Sequence, residues 1–175
     1  EELFEESAQV YGRYVFLLQV KDYERVIRDT ERNMGCFEFL HQFAVLDEDR
    51  MNLQKWWPYI IRIHATALSS QLADDEKFDR ALRVLSESRQ RIEALDHVDA
   101  EEFHAERERS VEALDELAQE IRGRKPLSER ERLEKALEEA ITDEAFEQAA
   151  QLRDQLRDLP DTEPDTEPDT ESDTE

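Results

Sequence analysis

LEKALEEAITDEAFEQAAQLRDQLRDL, residues 133–159, consists of two short helical patterns that meet at Thr142-Asp143. In the first arm Leu133, Leu137, Ala140 and Ile141 recur at steps of three and four, which places them on one helix face. Phe146, Ala149, Ala150, Leu152, Leu156 and Leu159 do the same in the second arm. Ser128 and Glu131 form an S-x-x-E pair ahead of the first arm, so the serine oxygen and the glutamate carboxylate can each satisfy an otherwise orphaned amide. Asp143 is placed to cap the second arm. Small Ala149 and Ala150 let the two backbones approach, and Phe146 is expected to fill the open end. The stretch therefore predicts a self-contained helical hairpin.

Leu133, Ala140, the Phe146-Glu147-x-Ala149-Ala150 run and Leu152-Arg153-Asp154, with Leu156 and Leu159 behind, resemble the UVR motif. That motif is the helical hairpin shared by the UvrB and UvrC excision-repair proteins, the bacterial activator of a protein arginine kinase and some Clp ATPases. The resemblance covers about a sixth of the chain. It implies a bacterial protein and a protein–protein contact element. The residues that would build or present the contact are Leu133, Leu137, Ile141, Phe146, Ala149, Ala150, Leu152, Arg153, Leu156 and Leu159. The implied partner is a protein, either another hairpin of this type or a second copy of the chain. The helicase motifs of UvrB, the nuclease regions of UvrC and the cysteine-pair metal motifs of the kinase activator have no counterpart in this sequence, so those activities do not carry over.

Composition extends the helical reading to the rest of the chain. Three glycines and five prolines are few for 175 residues, and three of the prolines follow Leu159. Abundant Glu, Ala, Leu, Gln and Arg favour an all-α fold. The formal charge is -23; the last fifteen residues hold eight acids and no base, and removing those eight leaves -15 on the remainder. Nucleic-acid affinity rests largely on Lys and Arg neutralising phosphates, so this balance argues against a DNA- or RNA-binding surface. The densest basic stretch, Arg122, Arg124, Lys125, Arg130 and Arg132, reads as an exposed linker between acids. A single cysteine, Cys36, rules out an internal disulfide and agrees with a reducing compartment. No apolar run approaches the ~20 residues that a membrane span needs, and no signal peptide is evident. The expected location is the cytoplasm.

From the N-terminus, Leu3 to Val20 predicts a helix, broken at Lys21-Asp22. A second runs from Tyr23 through Val26, Ile27, Thr30, Met34, Phe37, Leu40 and His41 to about Ala44, packed antiparallel on the first because the connection is so short. Gly35 inside it suggests a close helix crossing. A third helix is expected from Asp47, with Leu46 stapled to Met51, and Pro58 is expected to break or kink it. Helices over 75–95 and from Asp99 follow, the latter capped by Asp99 with Glu102 and exposed from His104 to Ser110. Arg122-Gly123-Arg124-Lys125-Pro126 punctuates the chain. After Leu159 comes DTEP-DTEP-DTES-DTE, which has no apolar residue to bury and is expected to be disordered.

Three segments share one plan. Lys21 to Ile27, Glu76 to Leu82 and Glu144 to Ala150 each run aromatic, acid, polar, small or branched, apolar from their third residue, and each begins the second helix of a pair. An aromatic in the first turn lies across the preceding helix, and the small residue after it lets the axes approach, as in tetratricopeptide-like pairs. Spacings of 55 and 68 residues between the aromatics do not fit a 34-residue repeat, which predicts irregular helical pairs in place of a regular solenoid.

Chemistry is poorly represented. His97 and His104 lie near several acids but seven residues apart across a helix start, where a helical zinc pair wants i to i+4. His41 and His64 fall at apolar faces and read as partly buried, hydrogen-bonded residues. No phosphate-binding glycine loop, H-E-x-x-H, G-x-S-x-G or C-x-x-C occurs, so no enzyme activity, cofactor or metal is expected. Trp56, Trp57 and Tyr59 form a possible second contact surface, weighed against a role as core filler. The sequence thus predicts an all-helical domain over 1–122, a linker over 123–128, a UVR-like hairpin over 129–159 and an acidic tail over 160–175. The expected function is a non-enzymatic interaction or scaffold protein. The alternatives are a DNA-repair accessory factor that contacts nucleic acid or a repair protein, and a regulator acting through the acidic tail.

Overall fold

The computed structural model describes residues 12–43 and 53–159. The expected start of the first helix, the Asp47 cap with its Leu46–Met51 staple and the acidic tail lie outside the described residues. Helix α1 occupies 12–19, followed by α2 (Tyr23–Phe43), α3 (Trp57–Asp74), α4 (Phe78–Glu93), α5 (Glu101–Arg124), α6 (Glu129–Thr142) and α7 (Phe146–Asp158). Among the described residues there is no strand, and no helix is long and apolar enough to cross a membrane. The helices fall into two compact units, Glu1–Lys125 and Pro126–Glu175.

Helix α3 is the axis of the first unit. Its sequence, WPYIIRIHATALSSQLAD, carries only Arg62, His64 and Asp74 among charged or imidazole side chains. A helix that is apolar on nearly all sides must be surrounded. Ile63 and Ala67 join Tyr14 and Leu17 of α1 and Val26 of α2. Ile61, Ala65 and Ala73 join Ala81, Leu85 and Ile92 of α4 and Leu114, Ala118 and Ile121 of α5. Ile60 meets Met34, Phe37 and Leu40 of α2 together with Leu53. The expected break falls at 55–56, a turn between helical residues 53–54 and α3, and Pro58 sits in the first turn of α3, where a missing N–H costs nothing because that amide has no intrahelical partner.

Polar side chains cross three of the helix pairs in this unit, α1–α2, α2–α3 and α3–α5. Asp29 of α2, buried, accepts from Arg13 Nε of α1 at 2.6 Å. Thr30 of α2 is hydrogen-bonded to His64 Nδ1 of α3 at 3.0 Å. Arg62 of α3 donates from Nη2 to Glu106 Oε1 of α5 at 2.8 Å and from Nε to Ser110 Oγ at 3.1 Å. Arg109 donates to the other Glu106 oxygen at 2.8 Å. This last network corrects the expectation that α5 is exposed from His104 to Ser110 at two positions, since Glu106 is 3% exposed and Ser110 is fully buried, while His104, Ala105, Glu108 and Arg109 are exposed. Burying that carboxylate is tolerable only because two guanidinium groups and a hydroxyl satisfy it.

The shared plan seen in the sequence is a shared turn. Lys21, Glu76 and Glu144 have φ of 59°, 62° and 56°, the positive-φ non-glycine residues among those described. In each case the following amide reaches back five residues: Asp22 N–H donates to Leu17 O at 3.0 Å, Lys77 to Leu72 at 2.8 Å and Ala145 to Ala140 at 2.8 Å. The left-handed residue itself donates to the carbonyl three back: Lys21 to Leu18, Glu76 to Ala73 and Glu144 to Ile141. This is the Schellman ending, which satisfies the last carbonyls of the first helix. The next helix then begins on the aromatic, Tyr23, Phe78 or Phe146, and the small residue three positions on, Val26, Ala81 or Ala149, is buried.

The same turn explains a misplaced cap. Asp143 does not cap α7; it ends α6, and α7 starts from Ala145 with no side-chain cap. At α5 the cap is likewise Ala100, without a side-chain bond, and the Asp99–Glu102 box does not form. A β-carbon added at Gly35 would meet no atom within 4 Å, so no close crossing accounts for that glycine. Helix α5 continues through Arg122 and Gly123 to Arg124, which pairs with Asp74 at 2.8 Å.

Candidate functional site

The hairpin unit is built from α6 and α7 alone among the described residues. Its entry is the expected capping box: Glu131 N–H donates to Ser128 Oγ at 3.1 Å, and Ser128 N–H donates to Glu131 Oε2 at 2.7 Å. The two helices pack on each other, and the buried residues at their seam are Ala140 and Ala149, with Ala150 half-buried. Leu133, Leu137, Leu152, Leu156 and Leu159 are also only half-buried. Two helices of this length cannot enclose their larger side chains, so the apolar stripe stays partly wet.

Two predicted contact residues are fully presented. Phe146 is 69% exposed and Ile141 55% exposed, one on each side of the turn. Phe146 therefore does not fill the open end of the hairpin. After the positive-φ Glu144, Phe146 is the first residue of α7, and among the described residues of the unit there is no third helix to lie over the ring. Arg153 is exposed too, 3.6 Å from Asp154. Glu144 and Glu147 border Phe146 in a shallow depression, and Glu138, Glu139 and Asp143 with Lys135 and Thr142 line a separate one on α6 and its end. The charged side chains that line the Phe146 depression are thus both carboxylates.

Of the second candidate surface, only Trp56 is presented, at 41% exposure with Lys55 Nζ 5.6 Å above its ring. Trp57 is packed edge-on against Phe37, 5.4 Å between centroids at 87°, with Arg91 over its ring. Tyr59 is half-buried against the α1–α2–α3 cluster under the Arg62 guanidinium. A small cleft of about 150 Å³ is lined by Glu38, His41, Gln54, Trp57, Leu95, Asp96, Val98 and Phe103. His41 is hydrogen-bonded there to Gln54. His97 and His104 lie ring against ring, 4.8 Å apart, and among the described residues no three His, Cys, Asp or Glu side chains converge on one point.

Two polar groups of the first unit sit between helices: Asp29, which sequence reasoning missed, and His64, half-buried and hydrogen-bonded as expected. Burial pushes the Asp29 carboxyl up, but hydrogen bonds and charge from Arg13 and Arg28 outweigh it and hold the group below the usual carboxylate range. His64 is held below its ordinary value, chiefly by burial and also by the Arg91 charge, against opposing pulls from Glu31 and the Ile27 backbone. Each of these side chains bridges two helices, which makes them structural.

The family model of the UvrB/uvrC motif matches residues 128–159, from the Ser128 cap to the end of α7. No curated protein and no solved structure matches the chain.

Proposed function

We propose that this chain is a non-enzymatic interaction protein that docks other proteins through the turn end and apolar stripe of its UVR-type hairpin. The observation that carries the reading is Phe146, a large aromatic 69% exposed at the tip of a hairpin whose buried side chains are alanines. A phenylalanine moved fully out of water contributes about 1.5–3 kcal/mol. Ile141 and the half-covered leucines would add to that in a helical interface. The helical, protein-contact role implied by the UVR resemblance supports the same face. The acidic balance of the chain weighs against phosphate contacts, and Glu144 and Glu147 beside Phe146 would repel a nucleic acid.

Affinity capture with the intact chain and with a Phe146→Glu variant tests this reading. Phe146 is exposed, so the substitution leaves the hairpin folded, as its helical circular dichroism should show. Proteins retained by the wild type and lost by the variant are the expected result. An identical set of retained proteins would remove the hairpin tip as the contact site.

A further inference from the structure

The three equivalent turns differ in what covers them. Tyr23, opening α2, packs against the cluster that contains Ile63 and Ala67 of α3. Phe78, opening α4, packs against the cluster that contains Leu114, Ala118 and Ile121 of α5. In both pairs the residue seven positions after the aromatic is buried under that third helix: Thr30, bonded to His64 of α3, and Leu85, among the α5 side chains. Each pair in the first unit is therefore a pair plus one. In α6–α7 the same aromatic position is exposed, and the position seven residues on is the exposed Arg153.

From this internal comparison, and resting on the reading of the hairpin as a contact site, we infer that the hairpin's ligand is a single amphipathic helix of a partner protein. This helix covers Phe146 and Ile141, in the place of the third-helix side chains that belong to the clusters under Tyr23 and Phe78. Charge fixes its chemistry further. Glu144 and Glu147 line the Phe146 depression, with no base among its lining residues, so the end of the ligand helix that lies over the turn carries Lys or Arg beside its apolar stripe. The mode is helix-in-groove recognition, with anchors at i, i+3, i+4 and i+7.

Two designed 18-residue helical peptides with the same leucine stripe, one flanked by Lys and one by Glu, test the inference by fluorescence anisotropy on the full chain. The Lys peptide should bind at least about 10-fold more tightly than the Glu peptide. Phe146→Ala should weaken it by about 10-fold, which corresponds to ~1.4 kcal/mol. Binding of the Lys peptide that is unchanged in Phe146→Ala would place it on the acidic tail or another charged surface and overturn the inference. Sedimentation of the chain alone separates this from the broader reading. A dimer abolished by Phe146→Ala would make a second copy the occupant, overturning the single-helix ligand while keeping the hairpin as the contact site. Loss of neither dimer nor peptide binding in that variant would overturn both.

Discussion

Glu106 shows how a single side chain can mislead a reading by pattern. In the run His104 to Ser110 it looks like one more solvated acid, yet it is buried and held by Arg62, Arg109 and Ser110. Its main partner is 44 residues away in the chain, which no local periodicity reports. Glu106→Ala leaves the mostly buried Arg62 guanidinium without its counter-charge and should cost about 3–5 kcal/mol of unfolding free energy in urea titration. Arg62→Met with Glu106→Leu removes both charges and should cost far less, or stabilise. Near-additive losses in the double variant would refute the pairing. His64 gives a pH signature. Its pKa is lower folded than unfolded, so between the two values the unfolded chain binds more protons and stability rises with pH. The contribution is complete above about pH 6.5 and is lost as pH falls below that. In His64→Gln the slope of stability against pH just below 6.5 should flatten, and an unaltered slope would exclude His64 as its source. Asp29, also depressed, adds a second loss only below about pH 3.9.

Helix pairs were the most legible level of this molecule. The hairpin, its Ser128–Glu131 box and the likeness of the three turns follow from spacing within a few residues, and the structure forms all of them. The caps at Asp99 and Asp143 did not follow, because Asp near a helix start is a signal shared by C-terminal turns. At Asp143 the Schellman ending uses that residue to close α6, and the left-handed Glu144 moves the next helix start to Phe146. Placement of Phe146 was missed for a related reason: a first-turn aromatic is buried only when a third helix is present, and a two-helix motif carries no sign of one. A non-glycine residue in the left-handed region costs about 1–2 kcal/mol. Glu144→Gly should therefore raise the thermal midpoint of the hairpin, corresponding to a net gain of about 1 kcal/mol once the freer unfolded glycine is counted. A lowered midpoint would mean that Glu144 holds the turn by contacts of its own.

For the molecule as a whole, the two units divide two tasks. In the first unit the helix-opening aromatics Tyr23 and Phe78 pack on buried clusters and ion pairs and hydrogen bonds join the helices, although Phe16, Phe39, Phe43 and Trp56 stay exposed, whereas the hairpin leaves Phe146 and Ile141 in water. That contrast, between completed pairs and an incomplete one, is the physical ground for assigning contact to the hairpin. The exposed Trp56 is the one member of the Trp56–Tyr59 cluster that offers a rival anchor. A direct measurement sets the two against each other: quantitative capture of partner proteins by the intact chain, by Phe146→Ser and by Trp56→Ser, at equal loading and matched helical content. Loss of partners in Phe146→Ser with retention in Trp56→Ser is the result expected. Retention in Phe146→Ser, or loss in Trp56→Ser alone, would contradict the assignment of contact to the hairpin.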